Sequence, residues 1–169
     1  GSHILFAVGR VPNSDSLDLP AAGVETNERG HITVDEYCRT SRGHIYALGD
    51  VNGKGAFTHT SVHDGQVFLD HYFREGGRRV SDRNVIYSMY IDPPLARVGL
   101  SETEAKKQGY DYLVGTMQMS SVSRAQEKAE TNGIMKVVVE EKTKRILGAA
   151  VFGVGGDEII GMLALAMQA

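Results

Sequence analysis

The sequence predicts an α/β segment over residues 1–82, then an α+β module over residues 83–169 whose mainly antiparallel sheet is flanked by helices. Three observations predict it. Ile4-Leu5-Phe6-Ala7-Val8-Gly9 is a continuous apolar run of the kind seen in strands buried on both faces. Ile45-Tyr46-Ala47-Leu48-Gly49-Asp50-Val51 reads as a buried strand that stops at a glycine and a carboxylate and feeds a glycine-spaced loop. Beyond Asn84, short strand patterns recur in hairpins with one or two helices among them.

In the first segment the apolar run ends at Gly9-Arg10-Val11-Pro12-Asn13, a loop by composition. His31-Ile32-Thr33-Val34-Asp35 alternates, and is expected as a strand entered from the Asn27 to Gly30 turn. After Gly49-Asp50 and the loop through Gly53 and Gly55, Thr60 to Arg74 has a helical pattern. Its predicted apolar stripe is Val62, Val67, Phe68 and Phe73, and Gly76-Gly77 is the stop signal. Gly76 to Arg83 is charged and turn-rich, as expected of a linker.

In the second segment Val85 to Tyr90 and Leu95 to Leu100 are strand patterns separated by Asp92-Pro93-Pro94. Ser101-Glu102-Thr103-Glu104 is a capping box opening a helix that runs through Gln108 to Gly109. Tyr112 to Met119, Gly133 to Glu140 and Arg145 to Val154 are three further strands, the last two joined by the Glu141 to Lys144 hairpin. Gly155-Gly156 precedes a final helix, Asp157 to Ala169, with acidic residues near its amino end. The chain opens inside one predicted element and closes inside another, so a longer polypeptide is expected.

Composition narrows the function classes. A hydrophobic content of 41% with 23% charged residues is ordinary for a globular protein. The net charge of −3 and scattered basic residues give no reason to expect nucleic acid as a partner. No apolar run reaches the roughly 20 residues that span a bilayer, so no membrane association is expected. Cys38 is the one cysteine, which excludes an internal disulfide or a cysteine-rich metal site and points to a cytoplasmic location. It is expected as a surface or half-buried thiol, and no metal ligands are assigned. His31 and His44 are read as solvated turn residues; His63 and His71 fall on the helix without a required function.

The Gly49-Asp50 edge is the candidate site. In open α/β sheets ligands sit beyond the carboxyl ends of strands. A glycine there permits close approach, and a carboxylate accepts hydrogen bonds from sugar or polyol hydroxyls. The same two residues also make an ordinary turn.

With these residues in hand, the chain resembles the carboxyl-terminal portion of the FAD-dependent pyridine nucleotide–disulfide oxidoreductases, such as glutathione reductase, dihydrolipoamide dehydrogenase and mercuric reductase. Ile4 to Pro12 resembles the strand and loop that re-enter the FAD domain, and Ile45 to Val51 the second FAD fingerprint. Asp92 to Glu102 resembles the opening of the interface domain; Gly133 to Lys136 with Ile146 to Ala149 resembles its central hairpin, and Gly156 to Ile160 its following helix. Gly53 to Thr60 and Arg124 to Glu130 look most like the mercuric-reductase-like branch.

The resemblance implies a Rossmann-like FAD-binding domain fragment over residues 1–82 and a dimerisation domain over residues 83–169. It implies that Asp50 accepts a hydrogen bond from a ribityl hydroxyl of FAD while Gly49 allows close approach. Gly9 and Arg10 would line the adenosine–pyrophosphate side, and Phe57-Thr58-His59 the flavin pyrimidine edge. A helix amino end there suits the charge that builds on reduced flavin. His59 is open to either reading, a flavin contact or a helix-start residue packing on its neighbours.

No Gly-x-Gly-x-x-Gly is present, nor the redox cysteine pair, nor the His–Glu pair of the family. No catalytic residue is therefore assigned, and the segment alone is expected to be inactive and homodimeric. The full-length protein would move electrons from NAD(P)H through FAD and a dithiol to a small disulfide, metal ion or oxidant. An autonomous dimerisation or interaction module without cofactor is the alternative, favoured by the missing catalytic groups and opposed by the Gly49-Asp50 edge. NADH oxidase-like chemistry, with FAD and no disulfide step, is a third reading.

Overall fold

Helix and turn, more than sheet, organise the first of two units into which the computed structural model of residues 1–169 divides, Gly1–Arg83 and Asn84–Ala169. The apolar run Ile4 to Val8 forms no strand: Ile4, Leu5, Phe6 and Val8 are each at least 78% exposed. A strand needs neighbours for its amides and side chains, and no segment of this unit pairs with it. His31 to Asp35 and Ile45 to Leu48 likewise contribute isolated bridges, Thr26 to Ile32 and Arg39 to Tyr46, in place of full strands.

These pieces still bury a core. Helix α1 (Leu19–Ala22) has a proline in its first turn and ends at Gly23, whose N–H bonds back to Leu19 and Pro20. Leu19 joins Val24, Ile32, Val34, Ala47 and the partly buried Ile45 and Val51 in one apolar cluster. A second cluster gathers Cys38, Val67 and Val80 with Leu48. Cys38 is completely buried, where a surface or half-buried thiol is expected from the sequence. It sits at φ +63° in a turn nucleated by Asp35, whose Oδ1 accepts the amides of Tyr37 and Arg39.

Helix α2 (Thr58–Arg74) begins two residues earlier than predicted. Thr60 closes its first turn, donating from Oγ1 to the Phe57 carbonyl and accepting the Phe57 amide. The helix ends at Arg74, as the pattern predicts, and Glu75 caps it at φ +51°, one residue ahead of the glycines read as its stop signal. Its buried face is Thr60, Asp64 and Val67, at helical spacing. Val62 and Phe73 of the predicted stripe are 57% and 67% exposed, because they lie on a face this unit does not cover. Phe68 is held by Tyr46 at 4.8 Å, edge to face.

The second unit is an antiparallel sheet of β1 (Ile86–Met89), β2 (Leu95–Gly99), β3 (Tyr112–Gln118), β4 (Ile134–Glu140) and β5 (Ile146–Phe152), in the order β1-β2-β5-β4-β3. Helix α3 (Glu102–Lys107) follows β2 with the predicted capping box: the Glu104 amide donates to Ser101 Oγ at 3.2 Å, and the Ser101 amide donates to the Glu104 carboxylate at 2.7 Å. Helix α4 (Ser123–Glu127) lies between β3 and β4, a short element that the periodicity does not reveal. Helix α5 (Gly156–Ala166) lays Ile160, Leu163 and Ala164 on Ala96, Val98, Ala149 and Val151, and this is the core of the unit.

Candidate functional site

The chain leaves Leu48 in extended conformation and turns at once into a single 3-10 turn, Gly49–Asn52. Two glycines frame it. Gly49 has φ +77°, and a Cβ there would come within 2.9 Å of Ser61 Oγ. Gly53 has φ +69°, and a Cβ there would come within 2.9 Å of the His31 ring. Only glycine meets both the backbone angle and the close approach.

Behind the turn lies Asp64 of α2, 1% exposed. Its Oδ2 accepts the Gly49 amide at 2.9 Å and Asn52 Nδ2 at 2.8 Å; its Oδ1 pairs with Arg83 at 2.7 Å. Asn52 also donates to the Ala47 carbonyl and accepts the Lys54 amide, so both ends of the turn are pinned. Arg83 completes the network by donating to the Thr60 carbonyl at 3.2 Å. A buried carboxylate is tolerable only with such partners.

In front of the turn Asp50 is half exposed and meets Arg10, with Nη1 3.1 Å from Oδ2. The other guanidinium nitrogen donates to the Ala56 carbonyl at 2.9 Å. Arg10, Val11, Pro12, Asn13, His31, Asp50, Val51 and Ala56 line a groove of about 520 Å³. Two of the residues predicted from sequence, Arg10 and Asp50, thus face one cavity. Gly49 is buried behind it. Phe57, Thr58 and His59 are exposed at the start of α2 and do not line the groove; the Phe57 and His59 rings stack at 5.4 Å. Gly9 is exposed and does not line it either.

His31, predicted to be a solvated turn residue, is half-buried in the groove wall, because the Asn27 side chain folds its turn inward by accepting the Arg29 and His31 amides. Asp64, Asn52 and Arg83 carried no sequence signal beyond polarity; an aspartate inside a helix reads as a solvated face.

Charge around the turn is tuned. Burial, reinforced by the Asp64 charge, pushes the Cys38 thiol up to about 12, so it is no nucleophile. Burial and the Arg83 and Arg78 cations hold His63 below its ordinary value. His63 Nδ1 is buried without a hydrogen-bond partner.

The second unit has a groove of about 320 Å³ bearing Arg97 and Lys136. Both cations are already engaged, Lys136 by Glu102, and Arg97 by Tyr87 at 3.1 Å and Glu104 at 3.8 Å. Arg10 is paired as well, and what distinguishes its groove is exposure: its side chain is 70% exposed, against 31% for Arg97 and 40% for Lys136. A half-exposed carboxylate accepts hydroxyl hydrogen bonds, a largely exposed guanidinium pairs with phosphate oxygens, and Val11, Pro12, Val51 and Ala56 supply apolar walls. Together these groups can engage a ligand that bears hydroxyls and a phosphate; Gly49 and Gly53 shape the turn and do not line the groove.

Residues 85–169 match the pyridine nucleotide-disulphide oxidoreductase dimerisation domain, and residues 1–65 match the pyridine nucleotide-disulphide oxidoreductase domain. The chain is 40% identical over 167 residues to a probable pyridine nucleotide-disulfide oxidoreductase, RclA, of Escherichia coli K12, covering 98% of this chain and 38% of that protein. It is 38% identical over 166 residues to dihydrolipoyl dehydrogenase of Vibrio cholerae, covering 98% of this chain and 34% of that protein. The solved structure of the HOCl-induced flavoprotein disulfide reductase RclA from Escherichia coli superposes with a TM-score of 0.84 at 39% identity, over 95% of this chain and 37% of that one. The chain therefore spans little more than a third of the length of these relatives.

Proposed function

The chain belongs to the pyridine nucleotide-disulphide oxidoreductases, and from that premise we propose that it supplies part of the FAD site and the dimerisation surface of a homodimeric flavoprotein. When bound, FAD would carry electrons from NAD(P)H, by way of a dithiol, to a small disulfide, metal ion or oxidant.

One observation carries this reading: Asp50 and Arg10 pair at 3.1 Å and together line one groove beside a glycine-framed turn. Asp50 would accept hydrogen bonds from the ribityl hydroxyls, while Gly49, buried behind it, supplies the φ +77° turn that presents Asp50 to the groove. Arg10 would exchange its contact with Asp50 for the pyrophosphate, with Gly9 beside it in the same loop. Phe57, Thr58 and His59 would border the flavin pyrimidine edge, where the first amides of α2 have no helical acceptor and carry the positive dipole end.

The dimerisation-domain match supports the homodimer. So does α5, whose Met162 and Leu165 are 67% and 69% exposed on the side away from the sheet. A cytoplasmic location agrees with the single buried thiol, and no helix is long and apolar enough to cross a membrane.

The test is purification of the full-length protein. A flavin absorption spectrum near one FAD per chain, bleached by NADH or NADPH, is the expected result, with a dimer by light scattering. A colourless full-length protein that takes up no added FAD would overturn the cofactor reading. The 169-residue chain on its own is expected to be colourless and dimeric.

A further inference from the structure

We propose that Asp64 is a positioning residue for the cofactor contact: from behind the Gly49–Asn52 turn, its buried carboxylate locks the backbone and aims Asp50 into the groove. The inference rests on the reading that Asp50 holds the polyol arm of FAD.

The geometry is directional. The Gly49 amide points inward to Asp64 Oδ2 at 2.9 Å, and the next side chain in the chain, Asp50, points outward to the groove. Asn52, at the far end of the same turn, is held by the same oxygen at 2.8 Å. One carboxylate oxygen therefore fixes the turn on both sides of Asp50. The other oxygen is taken by Arg83 at 2.7 Å, whose charge offsets that of the buried aspartate. Three donors converge on one group that is 1% exposed.

An apolar residue would suffice if this position only had to fill space. Replacing a buried ion pair by hydrophobic side chains is often neutral or stabilising. What a hydrophobe cannot do is accept the Gly49 amide and Asn52 Nδ2 together. An asparagine fails for a related reason. It keeps the shape, but its amide nitrogen must face donors on one side, either the turn or Arg83.

The test is a double-mutant cycle on FAD affinity in the full-length protein, with the dissociation constant read from flavin fluorescence rather than turnover. Asp50→Ala and Asp64→Asn are each expected to raise the FAD dissociation constant by about tenfold or more, and the double variant to be little worse than Asp50→Ala alone. That non-additivity is what action through Asp50 requires. Effects that multiply would assign Asp64 a merely structural role and overturn the proposal. An unchanged FAD affinity in Asp50→Ala would instead overturn the cofactor reading, and the proposal with it. If Asp64→Asn fails to fold, Asn52→Ala, which leaves the Asp64–Arg83 pair intact, goes through the same cycle. Coupling to Asp50 sustains the proposal there, and independence overturns it.

Discussion

The Arg10 guanidinium lies 3.1 Å from the Asp50 carboxylate, and both side chains are more than half exposed. Exposed pairs of this kind contribute only about 0–1 kcal/mol, because water and salt screen them and two mobile side chains are ordered. The pair is thus weak enough to exchange for a ligand, while its two halves offer opposite chemistry to the same groove.

From this it follows that Asp50→Ala separates ligand binding from stability. Losing a hydrogen bond to a charged group costs about 1.5–3 kcal/mol, or about 10- to 100-fold in affinity. We expect FAD retention in the full-length protein to fall by that order in equilibrium dialysis. The thermal midpoint of the FAD-free protein should barely move, and the dimer should persist. Equal loss of flavin and dimer would contradict this division of labour.

The pH dependence of the first unit should be traceable to His63. Burial, then Arg83 and Arg78, hold its pKa below the ordinary 6.5, against the weaker opposing pull of Asp64 and Asp82. A depressed value means that the unfolded chain takes up the proton first as pH falls. The stabilisation is therefore fully present above about pH 6.5 and is lost below it, through the lowered native value. Thermal unfolding of wild type and His63→Gln between pH 7.5 and 5 checks this. The wild type should lose more stability on acidification than the variant; parallel curves would remove His63 from the account.

The second unit was legible because its signals are local. The Ser101–Glu104 box, the Glu141 to Lys144 hairpin and the short strand patterns specify their own geometry, and each strand finds its neighbour within residues 84–169. The first unit was less so. An apolar run such as Ile4 to Val8 encodes a strand only if partners exist to pair with it, and this unit provides none. The site divides in the same way. Asp50 and Gly49 sit in a contiguous pattern and were readable, and Arg10 came with the resemblance. Asp64, Arg83 and His31 act across the fold, through contacts 12 residues or more away or through a shared groove, which no spacing rule captures.

Ser101 offers a test of the capping box by itself. The Ser101 hydroxyl, then its amide, hold the Glu104 carboxyl below its ordinary 4.5. The cap is therefore complete above that pH and is lost as acid protonates Glu104 through its lowered native value. Ser101→Ala should cost about 1 kcal/mol near neutrality. Because α3 has only six residues, the loss should appear as faster amide exchange at Ala105 and Gln108, with β4 and β5 unaffected. Uniformly faster exchange across the sheet would mean that the cap supports more than its own helix.

Two glycines of the sheet should respond to the same substitution in opposite directions. At Gly148 of β5 a Cβ would come within 2.0 Å of the Leu100 carbonyl oxygen and 2.6 Å of its nitrogen. Both obstacles are backbone, and Leu100 itself donates to the Leu147 carbonyl at 2.9 Å, so the only relief is to part β2 from β5. That junction overlies the Ala96, Val98, Ala149 and Val151 core. Gly148→Ala is expected to destabilise by about 1–3 kcal/mol, the range for an overpacked interior. At Gly115 of β3 a Cβ meets nothing within 4 Å, and the backbone has no positive φ. Gly115→Ala should stabilise by about 0.4–1 kcal/mol by restricting the unfolded chain. Urea unfolding of the 169-residue chain followed by circular dichroism ranks the two against wild type. A Gly148→Ala chain as stable as Gly115→Ala would mean that the β2–β5 junction can open at no cost, and that the packing of α5 does not depend on its close approach.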